Sequence, residues 1–135
     1  MEAWRKVFRE GVLPHVSRAA LARLRGLLVT DDARLLQGAT TIPPPLMCVQ
    51  DWPCESADSL GTLMAHDNLY AECDPATVGQ VEEGFATLCF KVDQTLGEPA
   101  ACRWFINWFD ECPRDEMRRE MIAEIDLALS SQEAM

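Results

Sequence analysis

Between Val78 and Leu96 the apolar residues Val78, Val81, Phe85, Leu88, Cys89, Val92 and Leu96 recur every three or four places. On a helical wheel they fall within about 100° of arc, with Glu82, Glu83 and Asp93 off the stripe, which predicts an amphipathic helix. Asp74 and Pro75 supply an N-cap and a first-turn proline for it, and Gly97 stops it. The same period recurs elsewhere. Trp4, Val7 and Phe8 share one side of a short helix over residues 2–11, ended by Gly11 and Pro14. Ser17 caps a second helix whose apolar face is Ala20, Leu21, Leu24, Leu27 and Leu28, with Arg18, Arg23 and Arg25 on the flanks. Thr30 or Asp31 then caps a turn of helix over residues 32–37, closed by Gly38.

Residues 38–55 keep no helical period, and Pro43, Pro44 and Pro45 impose an extended path. This long loop carries Ile42, Leu46, Met47, Val49 and Trp52, so it is expected to lie strapped against the domain, with room for a short strand pairing. Ser56 opens a short helix to about residue 65. Glu98 and Pro99 start another that runs to residue 111, and Pro113, followed by Asp115 and Glu116, starts the last. That helix carries the stripe Met117, Met121, Ile122, Ile125, Ala128 and Leu129, an Asp115–Arg119 pair four residues apart, and a frayed tail over 131–135. The pattern predicts an all-α fold: a compact bundle of four to five main helices forming one domain over residues 1–135, with one long proline-containing loop.

Four of the ten aromatic residues crowd into one stretch, as the pairs Trp104 with Trp108 and Phe105 with Phe109. With Cys102 and Ile106 they cover about 200° of the wheel, leaving Arg103, Asn107 and Asp110 for a narrow polar strip. A helix so apolar is expected at the centre of the bundle, wrapped on more than one side. A surplus edge around Trp108 would suit a partner or a second copy, since tryptophan is a frequent interface anchor.

Charge changes the picture of partners. Residues 1–34 hold seven of the twelve basic side chains against four acids, whereas residues 35–90 hold eight acids and no Lys or Arg. At a net charge of −10 the chain repels nucleic acid and anionic membranes, and the arginines of the N-terminal part are expected to lean on the acidic part or on an acidic partner. No run of residues can cross a membrane and the N-terminus has no secretory core, so the cytoplasm is the expected compartment, where acidic bacterial proteins are common. At 48% hydrophobic and 25% charged, 135 residues suffice for an ordinary globular core.

Candidate chemistry is sparse. Cys48, Cys54, His66 and Cys73 are the side chains that could furnish a zinc site, but their spacing lacks the close pairs such sites use. No Cys-X-X-Cys pair exists, so the six cysteines read as reduced structural thiols, Cys89 and Cys102 on apolar faces. There is no phosphate-binding glycine loop, nucleophile elbow or His-Glu-X-X-His motif, and His15 and His66 read as capping or surface residues. Adjacent carboxylates such as Asp31 with Asp32 and Glu82 with Glu83 point about 100° apart on a helix and read as solvated faces.

The expectation is therefore a protein-interaction module without catalysis or cofactor, an accessory subunit, adaptor or inhibitor. Its contact residues would be Leu46 and Trp52 in the loop and Trp104 and Trp108 on the aromatic helix. Two alternatives accompany it: a metal-binding domain built on the loop cysteines and His66, and an acidic mimic of nucleic acid that blocks a nucleic-acid-binding protein.

Overall fold

The structure, a computed structural model, describes residues 2–39, 51, 53–64, 69–70, 72 and 74–133. An all-α bundle forms; the described residues are about 70% helical and include no strand beyond two isolated bridges, Leu35 to Ala57 and Pro53 to Thr77. The helices are α1 (Ala3–Lys6), α2 (Arg18–Val29), α3 (Ser59–Met64), α4 (Val78–Leu96), α5 (Cys102–Glu111) and α6 (Arg114–Glu133). The main core cluster buries Phe8, Leu21, Leu24, Leu28, Phe105, Phe109, Met117, Met121 and Ile125, and a smaller one gathers Cys54, Ala57, Leu69, Ala76 and Val81.

The N-terminal helix does not end at Gly11. It passes from α1 into a π-helical turn, Val7–Val12, and a 3₁₀ turn, Leu13–His15. Gly11 is buried inside this path, where a Cβ would lie 2.8 Å from Val92 Cγ1 and 3.1 Å from Leu96 Cδ1. Its glycine lets the segment lie directly on α4.

α2 forms as its stripe predicts, with Ser17 Oγ accepting from the Ala20 N–H at 3.1 Å. The turn of helix expected over residues 32–37 is absent. Asp31 takes a left-handed conformation, and Asp32 Oδ1 accepts from the Arg34 N–H at 2.9 Å, a local turn that competes with the helical ladder. Both carboxylates of the pair are held by arginines rather than merely solvated, Asp31 by Arg114 and Asp32 by Arg34. Leu36 N–H then donates to Ala57 O at 2.8 Å and Ala57 N–H to Arg34 O at 2.9 Å, so residues 53–57 are strapped to the bundle.

α3 starts three residues later than Ser56 suggests. Asp58 caps it, its Oδ1 accepting from the Gly61 N–H at 2.8 Å. Asp74 does not cap α4 either: it sits at φ 52, and Thr77 with Gln80 forms a capping box. Gly97, at φ 68, ends α4 as expected, with the Glu98 N–H on Asp93 O and the Gly97 N–H on Gln94 O. α5 begins at Cys102, not at Pro99, because Asp93 reaches across from α4 to accept from the Cys102 N–H at 2.9 Å and the Ala100 N–H at 3.0 Å. α6 continues through Glu133, past the point of expected fraying, and Asp115 pairs with Arg118 rather than Arg119.

The arginines of the first two helices do lean on acids, those of α6. Arg5 and Arg9 converge on Glu124, Arg5 also reaches Glu120 at 3.0 Å, and Arg25 pairs with Asp126. Arg18 and Arg23 donate to the carbonyls of Leu129 and Thr62. Glu124 is only 3% exposed. Burial pushes its carboxyl up, and the two guanidiniums outweigh that and hold it ionised below its usual range.

Candidate interaction surface

The aromatic helix α5 is not wrapped on all sides. Cys102, Phe105 and Phe109 face the core, whereas Arg103, Trp104 and Asn107 face outward. Trp108 is not a free edge. It stacks on Trp4 of α1 with ring centroids 3.5 Å apart and planes 5° from parallel, and the Arg5 guanidinium lies 4.5 Å from the Trp4 ring centre on top. Short α1 thus exists to cover α5, with Trp4 Nε1 donating to Glu2 at 2.7 Å. Trp108 is consumed by the fold, and Trp104, one turn earlier, is left 46% exposed.

Trp104 forms one wall of a cleft of about 320 Å³ whose other walls are Lys6 at the end of α1, Val7 and Glu10 from the π-helical turn, Thr95 and Leu96 from α4, and Glu98. On the far side of Glu98 lies a second, open hollow of about 430 Å³, lined by Phe90, Asp93, Gln94, Gly97, Pro99 and Ala100. Phe90 is 62% exposed, the most exposed large apolar side chain among the described residues. Together these make one surface at the corner between α4 and α5, with two aromatic rings on either side of Glu98. Its backbone is held in shape by unusual local geometry. Ala100 adopts φ 61, a conformation costly for any residue with a Cβ, and the two Asp93 hydrogen bonds keep it there. The cleft's other wall is the π-helical turn, a form often met at functional sites.

The corner carries charges of both signs. Glu10, Asp93 and Glu98 line it with Lys6, Lys91 and Arg103 stand exposed next to Phe90 and Trp104, and Glu82 and Glu83 are exposed further along α4. Asp110, on α5's polar strip, is only partly solvated: it accepts from the Gly38 N–H at 2.9 Å, and partial burial raises its carboxyl.

Beneath the surface, Asp58 is buried, and loss of solvation outweighs the Gly61 N–H and raises its carboxyl to about 7. Asp58 sits in the core as an N-cap, and it opens onto neither hollow.

The other sequence candidates divide cleanly. Leu46 and Trp52 of the loop, and Cys48, His66 and Cys73, lie outside the described residues. Cys54 is described and buried: its thiol donates to Ser56 O at 3.2 Å, and burial raises it. Among the described residues no group of His, Cys, Asp or Glu could hold a metal ion. His15, expected as a surface residue, meets Thr95 Oγ1 at 2.6 Å across the α4 contact. Among the described residues no helix is long and apolar enough to cross a membrane.

Sequence reasoning missed Phe90, Glu98 and the contribution of Lys6, Val7 and Glu10. Phe90 left a signal, lying about 150° from the centre of the α4 stripe. The others left none, because a π-helical turn and a fold-back through Asp93 are set by tertiary contacts. No family model matches the chain, and neither a curated protein nor a solved structure matches it significantly.

Proposed function

We propose that this protein is a non-catalytic cytoplasmic interaction module that docks an apolar segment flanked by Lys or Arg from a partner protein across the α4–α5 corner. The observation that carries the reading is the exposure of Trp104 and Phe90 on either side of Glu98. Two large aromatic rings left in solvent beside concave hollows are poor for solubility and good as anchors, since interface energy concentrates in a few buried aromatic side chains.

The overall charge of the chain favours a basic occupant. A second copy brings its own net charge of −10 to a surface of the same net sign, which opposes self-association. Nucleic acid is disfavoured for the same reason, and the arginines that might have formed a basic face are already engaged, Arg5 and Arg9 with Glu124, Arg25 with Asp126 and Arg34 with Asp32.

The test is quantitative capture from lysate of the source cells with wild type, Trp104→Ala, Phe90→Ser and Glu98→Lys side by side. One partner should be lost at least about tenfold with each variant, and the Glu98→Lys loss should shrink as salt rises. A partner set indifferent to all three variants contradicts the reading, as does capture of the chain's own second copy in their place.

A further inference from the structure

Twice this chain seats an arginine on an aromatic ring and holds the guanidinium edge with carboxylates. The Arg5 guanidinium lies 4.5 Å from the centre of the Trp4 ring and pairs with Glu120 at 3.0 Å and with Glu124. The Arg34 guanidinium lies 4.4 Å from the centre of the Tyr70 ring and pairs with Asp32 at 2.7 Å. The cleft at the α4–α5 corner carries the same two kinds of group, an aromatic face and carboxylates, with no arginine among its walls. Trp104 is 46% exposed there and, among the described residues, has no cation over its ring. Glu10 and Glu98 line the cleft, and among the described residues neither carboxylate is paired with a cation. Arg103, next to Trp104 on α5, points about 100° away round the helix and does not line the cleft.

We propose that this cleft receives an arginine side chain of the partner, its guanidinium lying on the Trp104 indole and donating to Glu10 and Glu98. The inference deepens the docking reading and rests on it. Two features select arginine over lysine. A planar guanidinium covers a ring with its face and keeps its edge for carboxylates, whereas an ammonium is a compact, strongly hydrated point charge. Tryptophan also offers a cation the strongest aromatic face. The size of the cleft, about 320 Å³, is at the small end for a binding site and suits one side chain, so the rest of the partner segment lies outside it, towards Phe90. Within the cleft two carboxylates face the single ammonium of Lys6, which leaves a net attraction for the incoming cation.

The test titrates the isotope-labelled full chain with two capped tripeptides, acetyl-Leu-Arg-Leu-amide and acetyl-Leu-Lys-Leu-amide, and follows the Trp104 indole N–H by NMR. The arginine peptide should shift that resonance together with the Glu10 and Glu98 amides, and bind at least about threefold more tightly than the lysine peptide. The Trp108 indole, covered by Trp4, should move far less. Trp104→Leu should erase the preference. Glu10→Gln and Glu98→Gln should each weaken the arginine peptide about two- to fivefold, and Lys6→Gln should tighten it. All four positions are exposed, so the variants keep the fold. Equal affinity for the two peptides, no shift at Trp104 with either, or weaker binding in Lys6→Gln overturns the arginine assignment. Each of these failures is distinct from failure of the docking reading, which capture from lysate decides by itself.

Discussion

The seam between the N-terminal helices and α6 and the corner between α4 and α5 are built from similar residue types with opposite outcomes. At the seam the aromatic and charged groups are answered, Trp4 by Trp108 of neighbouring α5, Arg5 and Arg9 by Glu124, Arg25 by Asp126, and the aliphatic Leu127 is a large side chain left exposed. At the corner Trp104 and Phe90 stand in solvent beside acids, on a backbone that includes a left-handed alanine. The contrast shows where this chain uses aromatic and charged groups for its own stability and where it leaves them outward. An exposed tryptophan alone says little, but the same helix hides one and shows another.

Changes at the seam should therefore cost stability, and changes at the corner should not. The largest loss is expected for Glu124→Ala, which strands two guanidiniums around a buried site; about 2–3 kcal/mol is the expected cost in urea unfolding, since both arginines keep some access to water. A cost below about 0.5 kcal/mol would mean the seam is ornamental. Next comes Gly11→Ala, where the new methyl meets Val92 at 2.8 Å and should cost about 1–3 kcal/mol. Gly26→Ala on the exposed face of α2 has nothing within 4 Å and should gain about 0.5–1 kcal/mol from helix propensity alone, so the pair separates close contact from backbone entropy.

Asp58, the buried cap of α3, gives the pH dependence. Its folded pKa, about 7, is above that of an unfolded aspartate, so the folded state holds the proton more tightly. This contribution is fully present below the unfolded value near pH 4 and is lost as pH rises through about 7. Asp58→Asn keeps a capping side chain and removes the charge, so it should stabilise by about 1–2 kcal/mol at pH 8 and by nothing at pH 4. An equal gain at both pH values would show that ionisation of Asp58 is not the cause. The smallest effect belongs to the corner: Trp104→Ala and Phe90→Ser should shift stability by less than about 0.5 kcal/mol.

The sequence carried the interior far better than the surface. Stripes such as Leu21, Leu24 and Leu28 or Met117, Met121 and Ile125 are local, repeat with the helical period, and formed as read. Boundaries went astray where a longer-range partner decided them. Asp93 starts α5 from nine residues back, and Asp32 diverts its segment into a turn around Arg34. The Thr77-X-X-Gln80 box was present in the sequence, but the louder Asp74-Pro75 signal masked it. The exposure of Trp104 could be read from its place on the wheel, whereas the Trp4–Trp108 stack could not, because only the fold brings Trp4 onto Trp108. Phe90 was legible in principle as the aromatic residue off its stripe.

The central claim is that the α4–α5 corner binds a basic partner, and site-specific photo-crosslinking tests it directly. A photoreactive residue is placed at Trp104, at Phe90, or at the exposed Arg119 of α6 as a control, in cells that supply the natural partners. The account predicts one shared crosslinked protein from positions 104 and 90, mapped to a Lys- or Arg-flanked apolar segment, and none of it from position 119. Equal crosslinking from all three positions, or none from 104 and 90, would contradict it.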